Sequence, residues 1–228
     1  MVTSVGQDST VDGEGGDDDG DIAVLPAPTR RLSASARGRQ LRDVALRLFA
    51  ERGFGATTMD DIAEAAGVTK PLLYQHFASK RALYLELMET VAAQLIDNIR
   101  TATASADGPR QQVERGFLAY FSLMTSQQGA FRLLYGRDGE AGDPELGASL
   151  RRVEDAIAEA IDPLIDAGLD DDHRRTLAYA VVGMAEGVGR HWITSRGDHG
   201  TAGTDEALLL ATRVSNFAWA GLRQVHRV

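Results

Sequence analysis

Thr57-Thr58-Met59-Asp60-Asp61-Ile62-Ala63-Glu64-Ala65-Ala66-Gly67-Val68-Thr69-Lys70-Pro71-Leu72-Leu73-Tyr74-Gln75-His76-Phe77-Ala78-Ser79-Lys80 decides the fold. Thr58 and Asp61 have the spacing of a capping box, which predicts a helix beginning near Met59. Ile62, Ala63 and Ala66 recur at the helical period on one face, and Ala63 is small enough for another helix to cross closely. Gly67 predicts the stop, because a left-handed residue there costs glycine least. Thr69 is in position to cap a second helix, with Pro71 in its first turn, where a missing N–H removes no intrahelical bond. Two short helices joined by a tight turn are the outline of a helix-turn-helix, whose second helix enters the major groove.

The second helix has two faces. Leu73 and Phe77, four apart, fall inward with Val68. Lys70, Leu72, Tyr74, Gln75 and His76 point outward or sideways. Lys70 and Gln75 are suited to base edges or phosphates, Leu72 to a thymine methyl, and Tyr74, His76 and Lys80 to phosphate oxygens. Thr58, at a helix N-terminus, adds a backbone-contacting candidate.

Charge along the chain agrees with that reading. The 228 residues carry a net charge of -9, which is unpromising for a DNA binder as a whole. Residues 1–28 contribute -7 with no Lys or Arg, residues 29–82 contribute +5, and residues 83–228 contribute -7. A basic segment flanked by acidic ones can still make the phosphate contacts that dominate affinity. Residues 1–28, rich in Gly and Asp, are expected to be a disordered acidic tail, followed by Arg30 and Arg31 as a candidate flexible arm. Residues 29–79 read as the DNA-binding domain and 80–228 as a larger helical domain.

Beyond Ser79, a long helix is expected from Lys80 to about Arg100, with Leu83, Leu87, Val91, Leu95 and Ile99 as its apolar stripe. Helices follow from Pro109 to about Gln127, from Gly129 into a turn-rich 136–143, and from Pro144 to about Ala167 with a kink at Pro163. The last two run over about 171–195 and 204–225. The fold class is all-α. With no cysteine and no apolar run near 18 residues, the chain is expected to be cytoplasmic, without disulfides or membrane spans.

Residues 37–83 resemble the TetR family of bacterial transcriptional regulators. The family's first helix, ending in a phenylalanine and a glycine, is similar to Arg39 through Phe54. Its helix-turn-helix is similar to Thr58 through Phe77, and the start of its fourth helix to Ser79-Lys80-Arg81-Ala82-Leu83. The resemblance implies a recognition helix from Lys70 to Phe77, with Tyr74, His76 and Lys80 on phosphates and Thr69, Lys70, Leu72 and Gln75 as base readers. It also implies a homodimer on a palindromic operator, usually a repressor, whose larger domain binds a small effector. Tyr179 through Met184 and Asn216 through Leu222 are similar to actinobacterial members that sense fatty acyl groups.

The last helices supply a candidate dimer interface. Gly183 and Gly187 lie four apart beside Ala180, and each glycine costs a helix about 1 kcal/mol relative to alanine. Close helix approach would compensate, with Ala211, Ser215, Ala218 and Leu222 as the matching run. The alternative is that these small residues pack within one subunit. The effector candidates are Met88, Phe117, Phe121, Met124, Phe131, Leu134, Tyr135, Met184 and Trp192, which suit a hydrophobic effector, a fatty acyl compound among them. Each is equally a core residue in the plainer reading. Glu186 and Arg190, four apart, either pair with each other or supply the pocket's polar anchor.

An enzyme is not expected. There is no His-Glu-x-x-His, no Gly-rich phosphate loop and no catalytic, metal or cofactor set; His173 beside Asp170, Asp171 and Asp172 reads as a helix start. A helical ligand-binding or scaffolding protein that never touches DNA is the remaining rival, opposed by the outward chemistry of residues 70–80.

Overall fold

The computed structural model describes residues 33–135, 144–165, 168–196 and 204–225; the expected acidic tail, Arg30, Arg31 and the turn-rich 136–143 lie outside them. The elements are α1 (Ala34–Ala56), α2 (Met59–Ala65), α3 (Lys70–His76), α4 (Lys80–Ala104), α5 (Pro109–Ser126), α6 (Gln128–Tyr135), α7 (Pro144–Ile161), α8 (Asp171–Arg196) and α9 (Thr204–Leu222), with a 3₁₀ turn at Asp162–Leu164. No strand occurs among the described residues. Nor is any described helix long and apolar enough to cross a membrane.

Local chemistry accounts for the first four helices. Ser33 caps α1 by accepting from the Ala36 amide, and Gly53, at φ 84°, breaks its helical course near the end. Thr58 and Asp61 form the full capping box of α2. Gly67, at φ 63°, turns the chain between α2 and α3. Ser79 accepts from the Ala82 amide to start α4, whose stripe Leu83, Leu87, Val91, Leu95 and Ile99 is buried throughout. Its last turn reaches Ala104, so the expected break narrows to residues 105–108.

The structure differs at Pro163, where α7 ends instead of kinking. α7 stops at Ile161 and the chain tightens into the 3₁₀ turn. Proline has no N–H to continue the helix and disfavours helical geometry at the residue before it. Asp162 then accepts a hydrogen bond from Arg174 Nε at 3.0 Å, which fixes the start of α8 against this turn.

One hydrophobic core runs without interruption from Leu41 in α1 to Ala218 in α9. α1 packs on α4 and on α6, α4 on α5 and α7, α7 on α8, and α5 most extensively on α9. The α1–α6 crossing is close: a Cβ on Gly129 would stand 3.3 Å from Ala50 Cβ. An Arg42–Glu86 ion pair at 2.9 Å adds a polar tie between α1 and α4.

Candidate nucleic-acid interface and effector cavity

α3 is held from behind and open in front. Leu73 and Phe77 are buried with Ile62 and Ala63 of α2, and Val68 packs at the edge of that core. Lys70, Gln75 and Thr69 are exposed, Tyr74 is 44% exposed, and Leu72 and His76 are half-buried. Thr69 makes no cap hydrogen bond through its side chain, so the α3 cap leaves its hydroxyl for another use. Lys70 Nζ lies 2.8 Å from Asp60 Oδ1, and that carboxylate raises its pKa. His76 Nδ1 faces Gly38 of α1, 3.7 Å from where a Cβ would stand.

Two candidates do structural work here. Thr58 donates its amide and its hydroxyl to Asp61 Oδ2 at 2.8 and 2.6 Å, while its hydroxyl oxygen accepts from the Asp61 amide at 3.1 Å. These bonds, the Thr58 hydroxyl first, hold the Asp61 carboxyl below its usual range. Lys80 Nζ donates to the carbonyls of Phe54 and Thr57 at 2.6 and 2.8 Å and sits 4.3 Å from the Phe54 ring centre. It therefore closes the loop between α1 and α2, with at most one N–H left for a phosphate. Gln40 has a role that local sequence does not reveal: its amide donates to the Ala66 carbonyl at 3.3 Å and braces the helix-turn-helix turn against α1.

The second site is an apolar cavity of about 300 Å³, at the lower end of the range for small-molecule pockets. Its walls come from six helices, α4 to α9: Ile99 and Thr103; Val113, Gly116, Phe117 and Tyr120; Tyr135; Ile157 and Ile161; Leu177, Val181, Val182, Ala185 and Glu186; Trp219 and Leu222. Gly116 of α5 lies beside α4, where a Cβ would make an ordinary contact with Thr103 Cγ2 at 3.7 Å.

Of the sequence-predicted effector residues, Phe117 and Tyr135 line this cavity. Met88, Phe121, Met124, Phe131, Leu134 and Trp192 are buried in the core away from it, and Met184 packs at the core's edge. Trp192 instead donates to Glu206 Oε1 at 2.8 Å, tying α8 to α9. The signal for the cavity in the sequence is instead the aliphatic i, i+4 series Ile157, Ile161, Ile165 and Leu177, Val181, Ala185.

Glu186 is the acidic group in that wall. Tyr135 donates to its Oε1 at 3.2 Å. Burial pushes the carboxyl up to about 7, with Glu154 adding to the shift and the Tyr135 hydrogen bond and Arg190 opposing it. Burial also holds the Tyr120 and Tyr135 hydroxyls well above their ordinary range.

The candidate dimer residues divide. On α8, Ala180, Gly183 and Gly187 are exposed. On α9, Ala211, Ser215 and Ala218 are buried inside the protomer on the side that packs on α5, and Leu222 lines the cavity. The outward side of α9 instead carries Leu208, Leu209 and Phe217, the last 74% exposed. These small residues of α9 are therefore taken up by packing within the chain.

A reader helix with a buried back and a polar front, joined to a helical body that encloses an apolar cavity, is the architecture of a helix-turn-helix DNA-binding protein. The family profile described as bacterial regulatory proteins, tetR family, matches residues 41–87. The HTH-type transcriptional activator FasR of Mycolicibacterium smegmatis is 31% identical over 201 residues, covering 86% of this chain and 87% of its own length. The HTH-type transcriptional repressor KstR2 of Rhodococcus jostii is 41% identical over 92 residues, 40% of this chain and 45% of its own. Among solved structures, FadR of Bacillus subtilis in complex with stearoyl-CoA has a TM-score of 0.69 at 17% identity, covering 80% of this chain and 98% of that one, a likeness of fold.

The chain belongs to the TetR family of bacterial transcriptional regulators. Membership sets aside the rival of a scaffold that never touches DNA.

Proposed function

We propose that this regulator binds a two-fold operator as a homodimer through α3, and that an elongated apolar molecule, an acyl chain being the first candidate, enters the cavity and changes its grip on DNA. The observation that carries the reading is the position of α6: its Tyr135 lines the cavity while its body packs on α1 of the helix-turn-helix unit. Occupancy that displaces Tyr135 therefore acts on a helix already in contact with the DNA-binding end. Within α3, Thr69, Lys70, Tyr74 and Gln75 have the exposure that base and phosphate contacts need.

The likeness to FasR, named an activator, extends over most of the chain, whereas the likeness to KstR2, named a repressor, covers 40% of it. One DNA-binding design thus serves both outputs in the relatives. In this reading the sign of regulation follows from where the operator lies relative to the promoter.

Homodimerisation is supported by the exposed apolar side chains of α9 and by the exposed glycine face of α8. Large apolar side chains left exposed on one helix suit an interface between two copies.

The test is genome-wide footprinting followed by titration of the recovered duplex with and without long-chain acyl-CoA, at stated salt. Two protected half-sites and an affinity altered by the acyl compound are expected. Protection without two-fold symmetry, or an affinity indifferent to every apolar compound tried, overturns the reading.

A further inference from the structure

The cavity is covered at one end and open at the other. Tyr135, Val182 and Ala185 are buried beside Glu186, whereas Pro109 and Arg223, which also line the cavity, are exposed. The course of α9 makes these opposite ends. Trp192 Nε1 donates to Glu206 Oε1, which sets the start of α9 beside α8, beyond Glu186. Gly189, between Glu186 and Trp192, stands against the second half of α5, where a Cβ on it would lie 3.1 Å from Met124 Sδ. α9 packs along α5, so from that level it runs back toward Pro109 and brings Trp219, Leu222 and Arg223 to the open end. Along α5 the lining extends from Pro109 to Tyr120, about 16 Å at the helical rise. That is roughly the extended length of a dodecyl chain with its head group.

Charge is divided the same way. Glu186 and Arg223 are the two described lining residues of acidic or basic type. The Arg223 guanidinium has no hydrogen-bond or ion-pair partner among the described residues, and it is always charged. Glu186 already accepts from Tyr135 and has Arg190 in its field, and a cation reaching it would give up its water. An anion at Arg223 keeps one side in solvent.

Building on the effector reading above, we propose that the effector is a long apolar chain with one anionic head, that it enters tail first, and that Arg223 pairs with the head at the mouth. The guanidinium fork suits a carboxylate and equally a phosphate on a larger head. The tail then lies against the aliphatic walls and ends near Tyr135, the α6 residue of the lining, whose helix packs on α1.

Calorimetry on the full chain at low salt compares dodecanoate, dodecanoyl-CoA, 1-dodecanol and dodecylammonium. The two anions are expected to bind about fivefold more tightly than the alcohol, the size of an exposed charge pair, with the advantage shrinking as salt rises. Arg223→Gln should bring anions and alcohol level. Arg223→Glu should reverse the order and place dodecylammonium ahead of dodecanoate, a reversal that a merely structural role would not produce. Ligand-free melting checks that both variants fold. An advantage lost for one anion alone identifies that head as the one Arg223 reads. A ranking unchanged in both variants, or a wild type that binds the alcohol or dodecylammonium as tightly as the anions, overturns the head-group assignment and leaves the apolar-effector reading standing. Failure of all four to bind overturns both.

Discussion

Lys70 opens the reader helix and Lys80 opens the helix that follows it; both carry the same charge, yet the structure gives them different duties. Lys70 pairs only with exposed Asp60 at the surface, whereas Lys80 is tied to two carbonyls and a ring. Lys70→Ala is expected to weaken operator binding about tenfold, measured by fluorescence anisotropy, with an unchanged melting temperature. Lys80→Ala is expected to lose about 2 kcal/mol of stability, because two charge-assisted hydrogen bonds to carbonyls disappear. Equal melting temperatures for the two variants would show that the Lys80 bonds add nothing. Glu186 supplies a second prediction. Its carboxyl stays protonated in the folded chain up to about 7, while the unfolded chain releases that proton near the ordinary 4.5. Between those values the folded state binds the extra proton, so stability falls as pH rises through this window and levels off above it. Glu186→Gln should abolish that slope and be about 1 kcal/mol more stable than wild type near pH 8, with little difference near pH 5, the figure being reduced for partial solvent screening. Urea midpoints across pH measure it, and parallel curves for the two proteins refute it.

The α2–turn–α3 element shows why local sequence was so informative. Thr58, Asp61, Gly67 and Pro71 act on neighbours within four residues, and the boundaries they imply are the observed ones; Thr69 stands at the cap position of α3 without a side-chain bond to it. Gly67 sits at φ 63° with open space around a prospective Cβ, so replacing it costs backbone strain alone. Gly67→Ala is expected to destabilise by about 1 kcal/mol, and Gly67→Asn by less, since asparagine tolerates the left-handed region. Denaturant midpoints rank the two; an alanine variant as stable as wild type would mean the turn accommodates another geometry. Pro163 lay within reach of the same reasoning, but proline permits either a kink or a stop. The choice of a stop goes with Asp162 anchoring Arg174 of α8, a contact between elements.

At the scale of the whole molecule, the outward face of α9 gives the final prediction. Phe217→Glu places a charge on the most exposed large apolar side chain of the described residues without touching the core. If that face joins two copies, sedimentation should show monomer at micromolar concentration and operator affinity should drop at least tenfold, because each copy then holds one half-site. An unaltered dimer would move the interface elsewhere. The sequence alone determined that this chain is helical, where most helices start and stop, and which segment presents DNA chemistry. Caps, turns and the 3.6-residue period are short-range interactions written in consecutive residues. Only the tertiary structure decided that Ala211, Ser215 and Ala218 face inward, that six of the nine effector candidates are core, and that Ile157, Val181 and Trp219 wall a cavity with Glu186. Periodicity groups side chains onto a face, but which neighbour that face meets depends on packing among helices far apart in the chain.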